Sequence, residues 1–251
     1  MNPINYLHLL IYFLNFNDNR MNPIIKKPLA IIVGAGEGLG KSLAILLANS
    51  GYQVVVLNRS MVAYDVENIS MMQIDASNAQ AVENKILEII DNYSVPHVLI
   101  HNPAQLFIKP FLETTVEEFE LAWRSMVLSA FNVFQAVLPG MTKQGKGTIL
   151  VTGATGSLRG GSHFSAFSSA KFGLRGLTQS VAREYQKQGI HIAHVILDGI
   201  LDTPNSRKLH SLKPSDMMFA DEVAEAYLQL IQQKPSAWTH ELDLRPTNET
   251  F

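Results

Sequence analysis

Short apolar runs alternate with longer amphipathic stretches between residues 28 and 246. Leu29–Val33 is an unbroken apolar run that ends in a glycine-rich turn, and helical spacing follows over 38–49. A second β-branched run covers 53–57 and a third covers 71–74, followed by helical spacing over 78–92. Residues 97–100 predict a fourth strand and 148–152 a fifth, with a helix over 116–138 between them. A long helix is expected over 165–188, closed by Gly189, with Leu174, Leu177, Val181 and Tyr185 on one stripe. Strand 190–196, helix 221–233 and a last short strand Glu241–Leu244 complete the pattern. Strands without polar alternation are buried on both faces, and helices between them cover those faces. The expectation is therefore an α/β fold with a doubly wound parallel sheet. No linker, repeat or low-complexity segment interrupts residues 21–251, so they are expected to form a single domain.

Composition narrows the function classes. A chain of 251 residues, 47% hydrophobic, is long enough for one well-buried sheet. A net charge of −2 without a basic block gives nucleic acid nothing to bind. There are no cysteines and the 8 histidines lack zinc-site spacing, so neither disulfides nor a metal site are expected. A reducing, cytoplasmic setting fits this usage. Residues 6–16 form an apolar run well short of the about twenty residues that span a bilayer. No basic residue precedes it and no small-residue cleavage site follows, which argues against a signal peptide. Met1-Asn2-Pro3-Ile4 recurs as Met21-Asn22-Pro23-Ile24. This repeat suggests that Met21 is the natural start and that 1–20 is a non-native or disordered extension. The alternative is an amphipathic membrane-surface or dimer-contact helix, which the lack of basic residues disfavours.

The turn Val33-Gly34-Ala35-Gly36-Glu37-Gly38-Leu39-Gly40 lies between a strand and a helix. Glycines let the backbone bend sharply and approach a pyrophosphate, whose charge the helix N-terminus stabilises. In this strand–turn–helix context the loop predicts dinucleotide binding on a Rossmann-type domain, against the bland alternative of a tight turn. The second strand runs into Asn58-Arg59-Ser60. No acid stands there to repel a 2′-phosphate and Arg59 can pair with one, so NADP(H) is favoured over NAD(H). The alternative is an ordinary exposed arginine.

These residues resemble the short-chain dehydrogenase/reductase family over almost all of 28–246. The spacing Gly34-x-x-x-Gly38-x-Gly40 is similar to that family's cofactor loop. Glu37 argues mildly for NAD(H), because NADP-using relatives often carry a basic residue at that place. Asp75 falls where relatives contact adenine, and it also suits a helix cap. His101-Asn102-Pro103-Ala104 stands in place of Asn-Asn-Ala-Gly, with Asn102 retained. Gly199 and Thr203 fall where a Pro-Gly-x-x-x-Thr segment would cradle the nicotinamide amide, with Asp198 in place of the proline.

The resemblance also assigns the catalytic positions, and there the pattern fails. The family's proton-donating tyrosine is Phe167 and its ribose-holding lysine is Lys171. The serine that orients the substrate oxygen is Ala154, and the asparagine of the water relay is Met126. Phenylalanine has no acidic proton, so the ordinary general-acid step is lost. His163 is a candidate replacement acid, with Ser157, Ser162 and Ser165 as candidates to orient an oxygen. Their bland reading is a polar loop in which Ser162 or Ser165 caps the following helix. Reactions needing hydride transfer but no protein acid would also tolerate Phe167.

The resemblance thus implies an NAD(P)-dependent oxidoreductase with an atypical site acting on a small molecule. The alternative is a catalytically inactive dinucleotide-binding or scaffolding homologue. In relatives the helices 116–138 and 165–188 form a dimer contact, so a homodimer or homotetramer is expected. Trp123 and Trp238 read as packing residues. Arg207, Lys208, His210 and Lys213 form a mildly basic segment over the substrate position. It points either to an anionic substrate, a carboxylate or a CoA ester, or to a solvated loop.

Overall fold

The computed structural model describes residues 27–248. The proposed extension 1–20 and the start at Met21 lie outside the described residues. Seven strands form one sheet: β1 (Leu29–Val33), β2 (Gln53–Asn58), β3 (Ile69–Gln73), β4 (Val98–His101), β5 (Gly147–Thr152), β6 (Ile190–Leu197) and β7 (Glu241–Leu244). All pairings are parallel, in the order β3-β2-β1-β4-β5-β6-β7. The winding direction reverses between β1 and β4. A crevice opens outside the strand C-termini at such a switch point, and ligands bind there.

Two layers of helix cover the sheet. On one face α1 (Leu39–Asn49) and α5 (Ala220–Ile231) bury Leu43, Leu47, Tyr227 and Leu230 against Ile32, Val54 and Val195. On the other, α2 (Ala79–Asn92), α3 (Val116–Gln144) and α4 (Ser165–Tyr185) pack Ile86, Val133, Val137 and Leu174 on Ile31, Leu99 and Ile149. The helix α3 is long and apolar enough to pass for a membrane span, but its buried face packs on the sheet as a core helix does.

The expected elements are present, with shifts at their ends. Edge strand β3 starts at Ile69, two residues before the expected run, because its half-buried residues give a weak pattern. The third helix continues through Pro139 to Gln144 and closes on Gly145 at φ 67°. Pro139 removes only one backbone donor, and buried Leu138 and Met141 hold the helix on either side. A π turn at Arg124–Leu128 interrupts the same helix, and apolar spacing gave no sign of it.

One row of the sheet positions the site. The registers align Leu57, Val33, His101, Val151, His194 and Glu241 across six adjacent strands. Neighbours in such a row are about 4.8 Å apart. It crosses β4 and β5 at their C-terminal ends and β6 near its middle, on the face that α4 covers.

Gly189 ends the α4 segment at φ 83°, and a Cβ there would come within 2.1 Å of the Gly145 carbonyl oxygen. Gly189→Ala is expected to lower stability by about 1–3 kcal/mol, read as a lower urea midpoint at unchanged slope. An unchanged midpoint would show that the two turns are not locked together.

Candidate active site

The glycine loop has the shape a pyrophosphate needs. Gly34 has φ 82°, and a Cβ on it would lie 2.8 Å from the Pro103 nitrogen. Gly40 lets α1 close on the loop, since its Cβ would lie 2.4 Å from the Ala35 Cα. Gly38, at φ 105°, precedes Leu39 and starts α1 without any side-chain cap. Nothing lies within 4 Å of a Cβ built on Gly36, so the loop faces open space there. An uncapped helix N-terminus beside bare backbone is a fitting anion site. A cavity of about 290 Å³ adjoins it, lined by Gly34, Gly36, Arg59, Asp75, Asn102 and Ser129 among others.

The other expected cofactor residues sort by what their side chains already hold. The Asn58 amide is spent on the loop itself: Ala35 N–H donates to its Oδ1 at 2.8 Å and its Nδ2 donates to the Ala35 carbonyl at 2.9 Å. Asn58 therefore shapes the cradle rather than offering a free amide to cofactor. Tyr64, which sequence reasoning missed, donates its hydroxyl to the same carbonyl at 2.8 Å. Asn102 donates to the Gly34 carbonyl at 2.8 Å. The Arg59 side chain is exposed, with no ion-pair partner among the described residues. Glu37 is exposed and pairs with Lys41 one turn along α1 at 3.1 Å, which offsets its charge.

Asp75 does not cap α2. Asn78 does, accepting from the Ala81 N–H, while Asp75 accepts from the Ser77 N–H at 2.9 Å. That backbone bond holds its carboxyl below the ordinary value. Thr203 touches the loop: a Cβ on Gly38 would lie 2.8 Å from its methyl. A Cβ on Gly199 would lie 2.5 Å from Pro246 Cδ. Asp198, fully buried, accepts from Thr155 Oγ1 at 2.6 Å and pairs with Arg159 and Arg245. A carboxylate thus joins the ends of β5, β6 and β7 where a proline was expected.

Lys171 is 1% exposed, and its ammonium donates to the Thr152 carbonyl at 2.7 Å. It lies 5.8 Å from the centroid of the Phe167 ring. Met126, inside the π turn, is wholly buried with Ala122, Ala166 and Ala170, and Phe167 packs on that group. Phe167 also lies against Gly156, where a Cβ would meet its ring at 3.0 Å. Ala154 offers its backbone N–H to Ser157 Oγ at 3.3 Å. Phe167 and Met126 thus belong to one apolar plug, with the Phe167 ring facing the lysine.

Two buried histidines of the sheet row, His101 and His194, feel the Lys171 charge. His101 shares its Nε2 with Ser129 Oγ at 2.8 Å, and His194 shares its Nε2 with Ser157 Oγ at 3.0 Å. Burial pushes Lys171 down to about 7. Burial, then the Lys171 charge, pushes both histidines to about 3. Both histidines therefore favour their neutral forms, and Lys171 gives up its proton far more readily than an ordinary lysine. Sequence reasoning missed both histidines. Their signal was a polar residue inside an otherwise apolar strand, as in Val98-Leu99-Ile100-His101.

The remaining expectations have mixed outcomes. His163 is exposed at φ 71°, and its ring makes no hydrogen bond among the described residues. Neither Ser162 nor Ser165 caps α4: the N-cap is Phe164, without a side-chain bond. Phe164 instead packs edge-on against Phe167. Arg207 is tied to Asp202 at 2.7 Å, so of the basic segment only Lys208, His210 and Lys213 stay without an ion pair among the described residues. Trp123 packs on Gly173, joining α3 to α4, and Trp238 stacks on His191 at 5.1 Å.

The buried lysine sets a pH dependence. Unfolded, a lysine titrates near 10.5; here it titrates near 7. The folded chain binds fewer protons between those values, so stability rises with pH through that window. Below it the full cost is present, about 5 kcal/mol. Urea unfolding of the cofactor-free protein should show stability rising between about pH 7 and pH 9, and Lys171→Met should remove that rise. Equal slopes in both proteins would show that Lys171 is charged throughout.

The short chain dehydrogenase family model matches residues 28–213. A crystal structure of a short-chain dehydrogenase from Rhodopseudomonas palustris is 34% identical, with a TM-score of 0.72, covering 87% of this chain and 98% of that one. The 3-oxoacyl-acyl-carrier-protein reductase of Vibrio cholerae is 26% identical over 72% of this chain and 76% of its own length. ElxO with NADP bound superposes with a TM-score of 0.80 at 23% identity, over 87% of this chain and 97% of that one. A tyrosine-to-phenylalanine variant of ElxO with NADPH bound scores 0.79, again at 23% identity, over 86% and 96%. With the family model matching about three-quarters of its length, the chain belongs to the short-chain dehydrogenase/reductase family.

Proposed function

We propose that this chain is an NAD(P)-dependent oxidoreductase, with NADP(H) favoured, whose reaction takes no proton from residue 167. The observation that carries this reading is the burial of Lys171. A wholly buried amine bonded to one carbonyl, with no carboxylate paired to it among the described residues, costs stability. It is retained in the place where the family holds the nicotinamide ribose.

A bound nicotinamide would supply or accept the hydride. The backbone of Gly34 to Gly40 would hold the pyrophosphate and Arg59 the 2′-phosphate. Asp75 and Asn102 would line the adenine and ribose side, and Gly199 and Thr203 would border the nicotinamide. Phe167, packed on Met126, excludes water from one face of Lys171. The tyrosine-to-phenylalanine form of ElxO holds NADPH, so a phenylalanine substitution is compatible with nucleotide binding in this fold.

Trp123, Leu128, Phe131 and Phe172 are exposed on α3 and α4, and these apolar residues support a homodimer through those helices. An anionic small-molecule substrate is supported by Lys208, His210 and Lys213. A cysteine-free chain suits the cytoplasm. The apolar plug itself favours a second reading, a nucleotide-binding scaffold without turnover.

Two experiments test the proposal. Arg59→Asp should weaken NADPH binding by at least about tenfold, or ~1.4 kcal/mol, and leave NADH nearly unchanged; equal losses for both would remove the 2′-phosphate role. Combining Phe167→Tyr, Ala154→Ser and Met126→Asn should raise NADPH-dependent carbonyl reduction by about a hundredfold or more, measured across a panel of aldehydes and ketones. No gain in a variant that still binds NADPH would overturn the assignment of these three positions.

A further inference from the structure

The peptide between Ala35 and Gly36 is the part of the glycine loop whose direction the loop alone does not fix. A glycine accepts either orientation of the peptide before it, and nothing lies within 4 Å of a Cβ built on Gly36. The two orientations differ for an anion. In one, the Gly36 N–H faces the cavity of about 290 Å³ that Gly36 borders. In the other the Ala35 carbonyl oxygen turns that way and repels a phosphate. Side chains from outside the loop decide between them. A carbonyl oxygen has two lone pairs, and both are taken at Ala35: Asn58 Nδ2 donates at 2.9 Å and the Tyr64 hydroxyl at 2.8 Å. Asn58 Oδ1 also accepts from the Ala35 N–H at 2.8 Å. Ala35 is fully buried, while Gly34 and Gly36 on either side of it line the cavity. The C=O and N–H of a trans peptide point in opposite directions. A carbonyl held toward Asn58 and Tyr64 therefore aims the Gly36 N–H away from them. That N–H has no hydrogen-bond partner among the described residues.

From this geometry we propose that Tyr64 is a positioning residue for the dinucleotide: it holds the Ala35 carbonyl back, so that the Gly36 N–H meets the pyrophosphate. The assignment rests on the oxidoreductase reading above. Asn58 ends β2 and stands at the loop already. Tyr64 reaches the loop from residues 59–68, which carry no regular structure. Its ring packs against the apolar cluster that holds Ala35, Leu39 and Leu43, so the hydroxyl arrives from a fixed direction. Burial, then the Glu37 charge, pushes the phenol up to about 12, and the hydroxyl keeps its proton to donate. Tyr64 does not border the cavity, so it acts on the nucleotide through Ala35 alone. The loop leaves Ala35 little room to shift as a whole. A Cβ on Gly40 would lie 2.4 Å from the Ala35 Cα, so α1 packs directly on this residue. Asn102 fixes the carbonyl before it, that of Gly34, at 2.8 Å. What remains free to turn is the Ala35–Gly36 peptide, and Tyr64 and Asn58 hold it.

Tyr64→Phe keeps the ring and removes the hydroxyl. In calorimetric titration of the whole protein, this variant should bind NADPH about fivefold more weakly than the wild type. Phosphorus NMR of the bound nucleotide separates this role from a general loosening of residues 59–68. The pyrophosphate resonances should move between wild type and variant, while the 2′-phosphate resonance stays in place. Equal affinity with unmoved pyrophosphate resonances would overturn the assignment. So would a shift of the 2′-phosphate resonance as large as that of the pyrophosphate. Circular dichroism confirms that the variant is folded. If it is not, the wild type still decides: its Gly36 amide proton resonance should move downfield as NADPH is added, and an unmoved resonance would overturn the assignment. Failure of the wild type to bind NADPH would instead overturn the oxidoreductase reading, and the role of Tyr64 with it.

Discussion

Burial of the Lys171 amine at the head of β5 is the constraint around which the rest of the site is arranged. An ammonium out of water needs compensation, and here it has one carbonyl and the face of one aromatic ring. No carboxylate among the described residues pairs with it. The nearest buried acid, Asp198, is committed to Arg159, Arg245 and Thr155. The protein therefore holds an amine that is readily neutral, between two histidines that are more so. That arrangement survives because β4, β5 and β6 are rigid, parallel and in register, with apolar helices clamped above them.

The apolar plug follows from the same constraint. In a polar site, Tyr, Ser and Asn side chains would share the lysine's hydrogen bonds and keep it charged. Here the neighbour is the apolar Phe167 ring, and the buried amine lies in a low dielectric. Its charge then depends on what fills the cleft, and an anionic nucleotide is a ligand that would restore it. The glycine loop beside it is built for such a ligand, with Asn58, Tyr64 and Asn102 all bonded to loop carbonyls or amides to hold its shape.

The fold was legible because its information is local. Each strand reads as a short apolar run, and the glycine loop announces its strand–turn–helix context. Lys171 and Phe167 were singled out by the family resemblance, and the structure brings the amine to 5.8 Å from that ring. What stayed hidden depends on contacts between distant residues. Asn58 looked like a cofactor ligand, but its partner is Ala35, 23 residues away. Asp75 looked like a cap, but Asn78 is better placed by three residues. The π turn needs no special residue and leaves no periodic trace. His101 and His194 become neighbours of Lys171 only through the register of three strands.

The most direct test of this account is calorimetric titration of NADPH into the wild-type protein and into Lys171→Ala. The account predicts micromolar binding that the substitution weakens by at least about tenfold. Equal affinity in the two proteins, or no binding to the wild type, would contradict it. The buried lysine would then be a structural residue and not the holder of a nucleotide.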